Sequence, residues 1–458
     1  MGGYLKSEEA ILLFDSYSLD SQRLHNSFKR AGCGHIAVVI EDNGFLPEDV
    51  MSVYGFFLGD YKWKNGYARE RRLQLNEIIT PDWPQIEINE EYHCFKEKGK
   101  VFYVGSLQKR RVKTVNWYGE RNEVCFSDHY NRYGAMYART VFNAGGQKAQ
   151  KIWYSPEGRG IIEENFIHGS ITLNEDKDKK VFQKKMELVV YFFIKTGFWQ
   201  KSIFFNSLST PFFVSNRLKA SGKKDLLFWQ EPVNGEIPGN MRFILEGKSN
   251  RTKEIVVQKR YSYDRLLELG ANAAQIHRLG FIYRFQKENE HKPEALICTN
   301  SENVEHCREL AEALPQMQFH IAALTAMSQK LMAVGELENV SLYPGIEKNV
   351  LEGLFQKCDY YLDINYGMEI VSSIYRAFLH NQMILAFDET VHDRNYVAEK
   401  WIYPAKDWGR MVEDIRGMLM NKELLERCIE RQHEEAWAED REAYIRMLEV
   451  GDKDFDIV

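Results

Sequence analysis

The chain has 458 residues, with 60 basic and 66 acidic side chains and a net charge of -6, so no global basic field recruits nucleic acid. At 44% hydrophobic residues it is an ordinary globular composition, long enough for about two to four domain cores. The most apolar run, LVVYFFI at 188–194, is far shorter than the roughly 20 residues that cross a bilayer.

In chain order, AILLF at 10–14, SQRLHNSFKRAG at 21–32 and IAVVIE at 36–41 alternate buried strand, amphipathic helix and buried strand, the rhythm of βαβ construction with a parallel sheet. Gly32 is placed to close the helix with a left-handed cap. From 61 to 178 the rhythm changes to short alternating runs separated by turn residues: KVFYVGS, RVKTVNWY, EVCFSD, AMYARTVF, QKIWY and IIEENFIHGSITL. Polar and apolar residues swapping with period two predict an antiparallel insertion of at least five strands. Helix and strand signals resume at VFQKKMELVVYFFIKTG (181–197, helix), SIFFN, STPFFVSNRLKASG, DLLFWQ and EIVVQKRY, with a further helix in IPGNMRFIL. A second α/β unit opens near 275 with strands ALICTN, QFHIAAL, VSLYPG, YYLDIN and MILAF, and the chain ends in charged helices. The expected division is 1–60 and 179–270 as two parts of an N-terminal Rossmann-like domain, 61–178 as the inserted sheet, 271–435 as a C-terminal Rossmann-like domain and 436–458 as a helical tail.

The seven cysteines form no C-x-x-C pair and the histidines no H-x-x-x-H pair, so neither a metal site nor a cofactor is expected. The start MGGYLKSEEAILLF lacks the basic and long apolar segments of a secretory signal, and the expectation is a cytoplasmic protein. A peripheral position on the cytoplasmic face of the membrane stays open, since the basic run RRVK at 110–113 is too short to establish it.

Three stretches carry a resemblance: EDNGFLPEDVMSVYGFF (41–57), VNWYGERNEVCFSDHYNRYGAMY (115–137) and DLLFWQEPVNGEIPGNMRFIL (225–245). Together they resemble the stabilising, B-type subunits of the two-component transferases that attach N-acetylglucosamine to serine-rich-repeat adhesins of accessory Sec systems, and the similarity runs almost end to end. The resemblance implies a GT-B body, two Rossmann-type domains with an extended antiparallel sheet in the first. It also implies a catalytic glycosyltransferase subunit as partner and a Ser/Thr-rich adhesin polypeptide as ligand.

Retaining GT-B enzymes place an E-x7-E motif at a strand-to-helix turn, one acid near the transferred sugar and one on a ribose hydroxyl, with glycines between them. The corresponding stretch here is DINYGMEIVSSIYRAF, 363–378. Aligned on Arg376-Ala377, the second acid becomes Arg376 and the first Met368. Shifted to use Glu369 as the first acid, the second falls on Ala377. A cation cannot accept hydrogen bonds from ribose, and Val371 stands where a glycine would let the backbone approach phosphate. The family's Gly-Arg turn reads Tyr283-Arg284, with Lys287 nearby. These departures predict a non-catalytic subunit with a degenerate sugar-nucleotide site at Arg284, Lys287, Met368, Glu369 and Arg376, and no catalytic residue. The alternative is an active UDP-sugar transferase with an altered site built on Glu369, Arg284 and Lys287.

Acceptor-binding candidates are Glu41, Asp42, Asn43 and Glu48 in the NGFLPED loop, where Glu48 is equally suited to cap a helix starting near Pro47, and Trp229, Gln230, Glu231 and Asn240 at the carboxyl edge of a strand. Asp128, His129, Tyr130 and Asn131 read as a turn between strands rather than an acid/base cluster. The aromatics Trp117, Tyr118, Tyr130, Tyr133 and Trp153 of the insertion are candidates for a subunit interface.

Overall fold

The computed structural model describes residues 10–59, 91–94, 97–104, 111–175, 178–220 and 222–450. The start of the expected insertion, 60–90, and both termini lie outside them. The described chain divides into two compact units. The first runs to Trp229 and takes in Glu236–Val256 and Asn272–His277, and the second holds Gln230–Gly235, Val257–Ala271 and the chain from Arg278 onward.

The first unit contains two sheets. One has seven strands, with β1 (Ala10–Phe14) at its centre, β2 (His35–Val39) and β3 (Val50–Ser52) on one side, and Ile203–Phe205, Asp225–Trp229, Thr252–Val257 and Ile276–Arg278 on the other. Every residue of AILLF is buried, as a central parallel strand covered on both faces requires. The helix Leu19–Ala31 follows β1, capped by the Ser18 hydroxyl on the Ser21 amide and closed by Gly32 at φ 70°. The second sheet is a nine-stranded antiparallel meander from β4 (Glu91–Cys94) to β12 (Asp178–Phe182) in sequential order. Within it lie β6 (Arg111–Tyr118), β7 (Val124–Tyr130), β8 (Met136–Phe142), β9 (Lys148–Tyr154) and β10 (Gly160–Asn165). The two sheets meet where Tyr54, on the helix Val53–Leu58, stacks against Trp153 of β9 with centroids 4.4 Å apart and donates a short hydrogen bond to buried Glu164 of β10.

The second unit is a six-stranded sheet, parallel throughout, in the order Val340–Tyr343, Gln318–Ala322, Glu294–Cys298, Tyr360–Asp363, Met383–Phe387 and Ile402–Tyr403. Its core is continuous through Ile297, Ile321, Leu362, Ile374 and Leu385.

Two expected helix starts are corrected. The helix placed near Pro47 begins at Val53, with Ser52 rather than Glu48 as its cap, because Val50, Met51 and Ser52 pair with Ala37, Val38 and Val39 as an extra parallel strand. The helix placed from Val181 begins at Lys185, because Val181 and Phe182 pair with Thr172 and Ile171 and complete β12. In both cases sheet pairing outweighs local helix signals.

Candidate functional site

The strand Tyr360–Asp363 ends in a loop that enters the helix Ser373–Leu379. Asp363, only 2% exposed, accepts from both the amide and the Nδ1 of His392 at 2.7 Å, and His392 Nε2 donates to the Gly367 carbonyl. With both ring nitrogens donating, His392 is an imidazolium. The Asp363 hydrogen bond pushes its pKa up to about 9, while burial pushes the Asp363 carboxyl upward as well.

Glu369 spends its carboxylate on the Ile374 amide at 3.0 Å, and burial raises its pKa. Met368 is 88% exposed. Val371 and Ser372 both sit at φ 50°, so the turn keeps a left-handed backbone although its glycine is absent. Arg376 turns to the neighbouring helix Lys348–Lys357, where its guanidinium pairs with Glu352 and lies 4.0 Å from the Phe355 ring centroid.

Lys287 donates to the Cys358 carbonyl at 2.8 Å and to the fully buried carboxylate of Asp359, which also accepts the amides of Glu290 and Lys292. Arg284 is exposed. Tyr283, at the glycine position of the resembled motif, packs edge-on to Phe378 at 4.8 Å and touches Tyr375, Tyr396 and Phe285. The five sequence candidates here are therefore dispersed, each engaged locally or facing solvent, and do not converge on one point.

In the first unit, Glu41 is exposed and paired with Lys185 at 3.1 Å. Asp42 accepts the Gly44 amide at 2.7 Å, and its carboxyl is pushed up by burial. Asn43 accepts the Phe45 amide at 2.8 Å, and Glu48 is exposed. The turn 131–134 between β7 and β8 clamps this loop: the Arg132 amide donates to Gly44 O at 2.6 Å, and its guanidinium to Leu46 O at 2.8 Å. Gly44, at φ 79°, is required here, since a Cβ would meet Tyr130 O and a Tyr137 ring carbon at 2.8 Å each. The structure thus joins two sets the sequence kept apart, the 41–48 loop and Tyr130 and Tyr133. Asp42, Glu48, Asn131, Arg132, Tyr133 and Tyr137 line one cleft.

Trp229 is 3% exposed at the end of its strand, Gln230 is buried and donates to Gln258 at 2.7 Å, and Glu231 is exposed, its carbonyl accepting from Ser262. Asn240 donates to the Leu208 carbonyl at 2.8 Å. Among the insertion aromatics, Trp117, Tyr130 and Trp153 are buried, leaving Tyr118 and Tyr133 partly exposed. Asp128, His129 and Tyr130 belong to β7 rather than to the turn. Asp128 takes a bidentate Arg139 and the Trp117 indole N–H, and burial lowers His129 to a pKa of about 4.

Three family models for GtfB proteins match in succession, the N-terminal domain over 11–57, the middle domain over 89–183 and the third domain over 185–269, and a GftB/GlyA-F C-terminal domain matches 295–432. A stabilizing protein GtfB of a UDP-N-acetylglucosamine–peptide N-acetylglucosaminyltransferase from Streptococcus agalactiae is 36% identical over 447 residues, covering 96% of this chain and 98% of its own. The chain belongs to the GtfB family. A Streptococcus gordonii member is 33% identical, with 92% and 94% covered. A chain in the crystal structure of a GtfA/B complex bound to UDP and GlcNAc superimposes with a TM-score of 0.84 at 32% identity, covering 96% of this chain and 99% of that one. Pneumococcal GtfA, an O-GlcNAc transferase, shares the fold at a TM-score of 0.63 and 10% identity, covering 98% of this chain and all of its own. The fold of this GtfB-family chain is accordingly GT-B-like.

Proposed function

We propose that this protein is the non-catalytic, stabilising and acceptor-binding subunit of a complex whose catalytic partner transfers N-acetylglucosamine to an extended Ser/Thr-rich polypeptide. The observation that carries the reading is the state of the turn at 363–379. Arg376 stands where a ribose-binding acid belongs and is held by Glu352 and Phe355, Lys287 is spent on Asp359, and Tyr283 fills a glycine position with a phenol ring. Groups satisfied inside their own fold offer little to a nucleotide. The similarity to proteins named as stabilizers of a peptide N-acetylglucosaminyltransferase, and to a chain of a GtfA/B complex, supports the same partner.

The polypeptide is on this reading a serine-rich-repeat adhesin, modified in the cytoplasm, with or without peripheral membrane attachment, before accessory Sec export. The work divides along 1–60 with 179–270, 61–178, 271–435 and 436–458, and the inserted sheet carries the partner contact through Tyr118 and Tyr133. In the test, the catalytic subunit is expressed with and without this chain, and soluble transferase and sugar transfer are measured. This reading expects soluble, active transferase only with both chains, and transfer within about twofold of wild type when Arg376→Ala is used. Transfer by the isolated chain at ordinary enzymatic rates, or loss of transfer in Arg376→Ala with assembly intact, would contradict it.

A further inference from the structure

In the second unit the strands Glu294–Cys298 and Gln318–Ala322 lie side by side, and the loops leaving their carboxyl ends, 299–302 and 323–328, line a pocket of about 250 Å³. The carboxyl edge of a parallel sheet is where α/β proteins usually place ligands. None of the sequence candidates lines this pocket. Its frame is fixed by groups that are already spent: buried Thr299 donates to Asn365 Oδ1 at 2.8 Å and accepts the Ser301 amide at 2.9 Å, while Asn300 Oδ1 accepts the Leu324 amide at 2.9 Å and ties one loop to the other. Its rim is not spent. Ser301 and Ser328 accept the Asn303 and Leu331 amides, and each still has a hydroxyl proton to donate. Among the described residues, Asn300 Nδ2, the Thr325 hydroxyl and the Glu302 carboxylate have no partner, and all three side chains belong to exposed residues that a ligand can reach.

The pocket opens to solvent, so its groups rather than its volume decide what fits. Among the described residues that line it, Glu302 is the one charge, and there is no aromatic ring. A phosphate would meet that carboxylate without a counter-charge, and a nucleobase would find no ring to stack on. An ammonium would satisfy Glu302 alone and leave the amide and hydroxyl donors unmatched. A neutral chain bearing carbonyl and hydroxyl oxygens matches both sets, because its oxygens accept from the rim and its hydroxyl protons go to Glu302. Met327 and Leu331 add apolar contact for a threonine methyl group. We propose that this pocket binds a segment of the Ser/Thr-rich acceptor polypeptide and that Glu302 makes it selective for neutral residues, turning away acidic ones. The inference rests on the acceptor-binding reading above and adds a contact in the C-terminal unit and a charge rule for the sequence it takes.

The test measures binding of a fluorescent Ser/Thr-rich peptide, and of a twin with some serines replaced by aspartate, to the full-length chain. Wild type is expected to bind the aspartate twin about fivefold more weakly. Glu302→Gln removes the charge from an exposed side chain, and should reduce that difference to about twofold or less. Thr325→Val combined with Ser328→Ala removes two hydroxyls, and should weaken the Ser/Thr peptide about fivefold. Equal binding of the two peptides by wild type overturns the charge rule, and so does an undiminished difference in Glu302→Gln. Unchanged binding of the Ser/Thr peptide by the double variant overturns the pocket while leaving acceptor binding intact. Failure of both peptides to bind wild type overturns the pocket and the acceptor reading together.

Discussion

The turn at 363–379 and the cleft at 41–48 are both places where a strand end and its loop assemble polar groups, yet they handle those groups in opposite ways. At the first, the charged side chains close on one another: Arg376 on Glu352, Lys287 on Asp359, His392 on Asp363, and Glu369 on a backbone amide. At the second, Asn131 keeps a buried donor without a partner, beside a cleft. Ligand-binding groups cost stability until the ligand arrives, whereas structural groups contribute it. The difference lies in particular groups: Arg376, Lys287 and His392 are each paired within their own surroundings, whereas the Asn131 Nδ2 is not. The comparison makes stability measurements informative about function.

The largest effect is expected at Asp359. Alanine there strands Lys287 and two backbone amides, and should cost about 3 to 5 kcal/mol in urea unfolding. A neutral or stabilising Asp359→Ala would mean that the carboxylate serves a ligand instead. Gly44→Ala comes next, at about 2 to 4 kcal/mol, from backbone strain at φ 79° plus the 2.8 Å contacts of the new methyl.

A smaller effect is set by pH. The folded pKa of His392, about 9, lies above the ordinary histidine value near 6.5. Its contribution is therefore complete below about pH 6.5 and is lost as pH rises through about 9, an effect of about 1 to 2 kcal/mol after solvent screening. His392→Gln should flatten the wild-type decline across that window, and an unchanged decline would place its origin elsewhere. Val371→Gly should give the smallest change, a gain of about 0.5 to 1 kcal/mol, because glycine relieves a β-branched residue at φ 50° that is already 42% exposed. A loss on that substitution would show that the valine side chain packs more productively than its exposure indicates.

Much of the architecture was legible because burial and periodicity are local signals. AILLF and MILAF announce central parallel strands, and the alternation of RVKTVNWY announces a half-buried antiparallel one. The helix starts at Pro47 and Val181 were misplaced because Val50–Ser52 and Val181–Phe182 are claimed by neighbours in sheets, which local propensity does not register. The departures at Met368, Val371 and Arg376 were readable once the stretch was aligned on the motif of the resembled family. What those residues do instead was not: Lys287 finds Asp359 72 residues away, and Arg376 finds Glu352 24 residues back on another helix. Asn131 looked like a turn residue, which it is through Oδ1. Only the structure reveals that its Nδ2 is unmatched.

The most direct test of the central claim is a calorimetric titration of the purified chain with UDP-GlcNAc, followed by an unglycosylated Ser/Thr-rich repeat peptide in the same cell. The account predicts no binding heat from the nucleotide sugar and a clear isotherm from the peptide. Micromolar binding of UDP-GlcNAc would contradict it, and would mean that the turn at 363–379 still serves a sugar nucleotide.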